Sequence, residues 1–164
     1  MISNFSEQDI SHEYIDWLNS PLTMKYSNQR FKKHTEESCI YYLRSFENTE
    51  NSFLKITNIA TRKMVGTATI YIAKPHRRAD IGLLIGTNYS GMGYGSEAWN
   101  AIIQNLRKTK SIQKLTAGTA AANIAMQRII EKSGFLHEAT LKDHEIIEGD
   151  RVDIYYYSQF TEDV

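Results

Sequence analysis

Three glycines fall within five residues in the run Asn88-Tyr89-Ser90-Gly91-Met92-Gly93-Tyr94-Gly95-Ser96-Glu97-Ala98. Before the run, Ala79-Asp80-Ile81-Gly82-Leu83-Leu84-Ile85-Gly86 reads as a buried strand. After it, Trp99, Ile102, Ile103 and Leu106 recur at helical spacing. A strand therefore enters a glycine turn that opens a helix. The first N–H groups of a helix lack internal acceptors, and the helix dipole favours an anion there. Glycine permits positive φ and close approach of the backbone to a phosphate. The chemistry offered is diphosphate binding. No Gly-Lys-Ser/Thr occurs, so a Walker loop is excluded. A dinucleotide fingerprint is expected after an N-terminal strand, in a βαβ unit of about 30 residues. Here three strands precede the glycines.

Those three strands are expected over Phe53–Asn58, Met64–Ala73 and Ala79–Ile85. Their short connections predict antiparallel neighbours. Upstream, Ile10, Tyr14, Trp17 and Leu18 form an apolar stripe over residues 8–19, and Asn19-Ser20-Pro21 stops that helix. Thr35-Glu36-Glu37-Ser38 opens a second helix, with Cys39, Leu43 and Phe46 inward. The glycine turn leads to a helix ending near Lys108, and Ile112–Thr119 is the next strand. Strand, helix and strand in succession predict a parallel pair. Asn123 caps another helix, with Met126, Ile129 and Ile130 inward and Ser133-Gly134-Phe135 closing it. Strands over Phe135–Lys142 and Val152–Phe160 finish the chain, joined by a turn at Glu148-Gly149-Asp150-Arg151. The expectation is a single domain over residues 1–164: α/β, with a mixed sheet and helices on both faces.

Nineteen basic residues balance nineteen acidic ones, which leaves no global electrostatic case for nucleic acid or an anionic membrane. Lys74, Arg77 and Arg78 form a local basic group that reads as a solvated loop. The lone Cys39 excludes a disulfide framework and suits a small buried hydrophobe. No stretch reaches the length of a membrane span, the N-terminus is unlike a signal peptide, and a cytoplasmic protein is expected. No His/Cys cluster has zinc-like spacing, so no metal site is expected.

The segment Ala79–Phe135 resembles the GNAT acetyltransferase superfamily, and the match is closest to its ribosomal-protein N-terminal and amino-sugar acetyltransferase branch. Gly91-Met92-Gly93-Tyr94-Gly95-Ser96-Glu97-Ala98 is similar to that family's pyrophosphate loop. Asn123-Ile124-Ala125-Met126 with Glu131-Lys132-Ser133-Gly134-Phe135 is similar to its second cofactor motif. Trp17-Leu18-Asn19-Ser20-Pro21 is similar to its N-terminal helix end. The resemblance covers nearly the whole chain. It implies a mostly antiparallel central sheet flanked by helices on both faces, and acetyl-CoA as co-substrate.

It further implies residue roles. Backbone amides of Met92, Gly93, Tyr94, Gly95 and Ser96 would hold the diphosphate. A backbone N–H near Leu84 or Ile85 would polarise the thioester carbonyl, with a bulge at Gly82 or Gly86 exposing it. Asn123 would meet the pantetheine arm, cap its helix, or do both. The reaction would be amide formation by direct attack of an amine that has lost its proton. Family members carry a proton donor three or seven residues after the asparagine; this chain has Met126 and Ile130 there. Tyr157 matches a tyrosine common near the end of the last long strand. Period-two alternation puts Tyr155 on its face and Tyr156 opposite. Asp80, His76 and Glu138 are base candidates by their positions near strand ends. The acceptor would be a small amine such as an amino sugar, or a protein N-terminus, held by elements rich in Tyr14, Trp17, Tyr26, Tyr41, Tyr42 and Tyr155. Homodimerisation is an expectation of the branch. The alternative is a non-catalytic acyl-CoA-binding module, motivated by Met126 and Ile130.

Overall fold

Ser11, Ser20, Thr35 and Asn123 each precede a helix, and each side chain accepts a hydrogen bond from the backbone N–H three residues on. Each such cap is worth about 1 kcal/mol. The computed structural model describes residues 1–161. The strands are β1 (Ile2–Asn4), β2 (Ser52–Thr57), β3 (Met64–Ala73), β4 (Arg78–Ile85), β5 (Lys114–Ala120), β6 (Leu136–Ile147) and β7 (Asp150–Phe160). The α-helices are α1 (His12–Asn19), α2 (Pro21–Met24), α3 (Glu36–Arg44), α4 (Tyr94–Arg107) and α5 (Ile124–Lys132).

The sheet order is β1-β2-β3-β4-β5-β7-β6. β2 runs antiparallel to β1 and β3, and β7 runs antiparallel to β5 and β6. The β4–β5 pair is parallel, as strand–helix–strand succession predicts, with Arg78 opposite Lys114 and Asp80 opposite Thr116. The sheet is mixed and mostly antiparallel. Three features escape the sequence reading. β1 is too short for a pattern. A 3-10 turn at Glu7–Asp9 precedes α1, which is shorter than the expected 8–19. Pro21 ends α1 as expected but also takes the first position of α2, where its missing N–H costs nothing.

The chain falls into two compact units, Met1–Ile70 with Leu83–Ala98, and Tyr71–Gly82 with the chain from Trp99 on. In the first, an aromatic cluster forms the core. Phe5 and Phe46 both stack on Phe53, with centroids 4.5 and 5.4 Å away, and Tyr14 lies 5.1 Å from Phe5. Such pairs add about 0.5–1.5 kcal/mol each beyond their buried area. Trp17, Leu18, Met24 and Cys39 complete the cluster. Burial pushes the Cys39 thiol up, away from the reactive thiolate, which suits its role as a small hydrophobe.

In the second unit Trp99 is fully buried. Its indole N–H donates to Ser133 Oγ at 2.8 Å, and its ring lies 5.6 Å from Phe135. Ser133 ends α5, Gly134 takes φ +88°, and the Phe135 N–H returns to the Ile130 carbonyl at 3.4 Å. That is the left-handed cap expected of Ser133-Gly134-Phe135. The final hairpin turns on Glu148 and Gly149, both at positive φ. A two-residue turn of this kind lets both strands run on past the expected four-residue turn. Alternation along β7 holds: His137 makes edge contacts with Tyr155 and Tyr157, at 5.1 and 5.6 Å, while Tyr156 lies over Gly118.

Candidate functional site

The glycine loop belongs to the first unit. Gly91 and Gly93 have φ of +77° and +87°. A Cβ built at either meets nothing within 4 Å. The glycines are therefore required by backbone conformation, and the loop surface is open where an anion would rest. The Gly93 carbonyl accepts from the Glu97 N–H at 3.1 Å, so α-helical bonding begins there. The N–H groups of Tyr94, Gly95 and Ser96 precede Glu97, whose N–H is the first to donate within this 14-residue helix. Met92 and Ser96 are exposed, and Gly95 is buried.

Both ends of the loop are fixed within the same unit. Tyr89 donates its hydroxyl to Glu13 Oε1 at 3.0 Å and packs edge-on against Trp17 at 5.8 Å. Tyr94 receives a hydrogen bond on its hydroxyl from Asn58 Nδ2. Asn58 Oδ1 also accepts from the N–H groups of Ala60 and Thr61, at 2.8 and 3.1 Å. Sequence reasoning missed Asn58. Its signal was an asparagine opening the β2–β3 turn, a position where Asn commonly accepts from the backbone two residues on.

β4 ends beside Trp17. A Cβ on Gly86 would lie 2.4 Å from the Trp17 ring. Gly86 is therefore dictated by close approach of the indole. The Gly86 N–H donates to the Val65 carbonyl at 3.0 Å. Strand alternation then turns the Leu84 N–H toward β3 and the Ile85 N–H to the opposite edge. Leu84 packs on the aromatic cluster, and Ile85 Cδ1 lies against Gly66. The Trp17 indole N–H is buried and has no acceptor among the described residues. An orphaned buried donor of this kind is rare.

The remaining candidates belong to the second unit. Asn123 Oδ1 accepts from the Met126 N–H at 3.3 Å, and Nδ2 donates to Thr119 Oγ1 at 3.1 Å. The carboxamide keeps one further donor. Tyr157 is 1% exposed and donates to Glu131 Oε1 at 3.1 Å. Burial, then the Glu131 hydrogen bond, push its phenol up to about 12, so it stays protonated. Ile130 is fully buried, so it is a core residue of α5. Burial raises the Asp80 carboxyl above its ordinary value, opposed by a 2.7 Å hydrogen bond from Thr116 and by Arg78. Glu138 is held below its usual range, chiefly by the hydrogen bond from Lys114. His76 is exposed in a 3-10 turn before β4. Arg77, in the same turn, donates to the Lys110 carbonyl at 2.8 Å. No described helix is long and apolar enough to cross a membrane.

A glycine turn opening a long helix after a strand, within this strand order, defines an acetyltransferase fold. The chain belongs to the GNAT family of N-acetyltransferases: the model of the acetyltransferase (GNAT) domain matches residues 1–136. It is 28% identical over 115 residues to the uncharacterised N-acetyltransferase p20 of Bacillus licheniformis, a match covering 70% of this chain and 64% of that protein. The spermidine N-acetyltransferase of Vibrio cholerae, solved with CoA and spermine, superposes with a TM-score of 0.86 at 16% identity, covering 98% of this chain and 95% of that one. The ribosomal-protein-alanine N-acetyltransferase of Brucella melitensis gives 0.79 at 20% identity, covering 98% and 99%.

Proposed function

We propose that this chain acetylates a primary amine with acetyl-CoA. One observation carries the reading: Gly91 and Gly93 hold open, positive-φ positions directly before the first turn of α4. The backbone of Met92, Gly93, Tyr94, Gly95 and Ser96 would hold the diphosphate, with each anion–dipole contact worth about 0.3–1 kcal/mol. Of Leu84 and Ile85, alternation favours the Ile85 N–H as the group facing the thioester carbonyl. The spare Asn123 donor suits an amide of the pantetheine arm.

The amine nitrogen forms a C–N bond to the acetyl carbon while the C–S bond breaks. Sulfur leaves with the electron pair, and nitrogen loses its extra proton. A thiol with a pKa near ~8.5 needs little help to leave, so apolar Met126 and Ile130 are compatible with turnover. Tyr157 is the candidate acid, and its hydroxyl donates to Glu131 Oε1. Tyr157→Phe should lower kcat while leaving acetyl-CoA affinity unchanged. An unaltered rate would return the residue to a purely packing role.

The test is a calorimetric titration with acetyl-CoA, using NAD and ATP as competitors, followed by CoA release across an amine panel. Saturable binding that neither competitor displaces is expected. Binding without turnover of any amine would favour an acyl-CoA-binding module. Absence of binding would overturn the loop assignment.

A further inference from the structure

Residues 87–98, the glycine loop and the start of α4, carry one charged side chain, Glu97, and no lysine, arginine or histidine. An anion seated on the amides there meets no cation from the run itself. The β2–β3 turn supplies two. Arg62 and Lys63 lie in it and are both exposed. No aspartate or glutamate occurs from residue 51 to residue 79, so no sequence neighbour offsets them.

Hydrogen bonds set this turn against both flanks of the glycine run, all within the first unit. Upstream, the Gly86 N–H donates to the Val65 carbonyl at 3.0 Å, two residues after Lys63. Met64, between them, packs on the aromatic cluster, as does Tyr89. Downstream, Asn58 Nδ2 donates to the Tyr94 hydroxyl at the start of α4. Asn58 also closes the turn: its N–H donates to the Lys63 carbonyl, and its carbonyl accepts from the Arg62 N–H, each at 2.9 Å. The backbone of both cations is therefore bonded to the residue that holds Tyr94.

Arg62 stands at φ +61°. Glycine or asparagine takes this left-handed region most readily, and an arginine there is strained. A turn shaped for stability alone would carry glycine. A strained cation beside a binding loop points to function. Coenzyme A bears a second anionic group besides its diphosphate. This is the 3′-phosphate, a monoester with about 1.5–2 negative charges at neutral pH. Arginine and lysine are the side chains suited to such a group.

We propose that Arg62 and Lys63 hold the 3′-phosphate of the cofactor and make the protein selective for the 3′-phosphorylated form. This rests on the reading of the glycine loop as the diphosphate seat. Both side chains are exposed, so the attraction is screened over about 8–10 Å at physiological salt and weakens as salt rises.

The test is calorimetric titration of the whole protein with acetyl-CoA and with 3′-dephospho-acetyl-CoA. The native protein should bind the phosphorylated form roughly tenfold more tightly, and added salt should shrink that ratio. In the double variant Arg62→Gly/Lys63→Gln the ratio should fall close to one, through weaker binding of acetyl-CoA and little change in the dephospho form. Glycine at position 62 relieves the strained φ, so Tm should hold or rise, which separates lost binding from lost folding. A native protein that does not distinguish the two forms, an unchanged ratio in the double variant, or equal weakening of both forms would overturn the proposal and leave the glycine-loop reading standing. Binding of neither form by the native protein would overturn that reading and this one with it.

Discussion

Gly93 combines two properties that a substitution separates. Its φ of +87° makes any L side chain strained, by about 1–2 kcal/mol, yet the space around it is open. Gly93→Ala should therefore fold, with a modest fall in Tm and weakened acetyl-CoA binding. Gly93→Glu adds a negative charge over the proposed diphosphate seat, and calorimetry should detect no binding while circular dichroism stays native. Retained affinity in a folded Gly93→Glu protein would overturn the loop assignment. Asp80 gives a prediction of a different kind. Burial raises its folded pKa above the ordinary 3.8, so ionisation is harder in the native state. The carboxyl supports the fold below 3.8, and that support is lost as pH rises through the raised value. Asp80→Asn keeps an acceptor for the Thr116 hydroxyl and cannot ionise. Its Tm should match the native protein in acid and exceed it near neutral pH. A pH-independent difference would contradict this account.

The elements that carry strong periodicity or special φ were legible in the sequence. β3 occupies the expected Met64–Ala73, and the cap at Ser133-Gly134-Phe135 and the parallel β4–β5 pair were readable as well. What stayed hidden depends on residues distant in sequence. Asn58 reaches Tyr94 across 36 positions, and the three-residue β1 shows itself only by pairing with β2. Gly86 is instructive, because sequence suggests a bulge and structure supplies a different cause. Its φ of −57° suits any residue, so the Trp17 ring alone excludes a side chain. Gly86→Ala should cost about 1–3 kcal/mol through overpacking. Much of that loss should be recovered in a Trp17→Phe background, where the ring is smaller. Additive losses in denaturant unfolding of the double variant would show that the two positions do not couple.

Two compact units share one chain whose family model runs through both. A single domain over residues 1–164 remains our proposal, and it requires both units to unfold together. The two tryptophans divide between the units, with Trp17 buried in the first and Trp99 in the second. The protein therefore carries a built-in optical reporter for each half. Trp99→Phe leaves emission from the first unit, and Trp17→Phe leaves emission from the second. Coincident urea midpoints from these two variants, each matched by its own circular dichroism transition, are expected of one cooperative domain; separated midpoints would show that the halves melt independently. The Trp17 indole is 5% exposed, so its emission starts from an apolar setting. An indole whose surroundings become more polar emits at longer wavelength, so opening of the first unit should be visible as a red shift without any label.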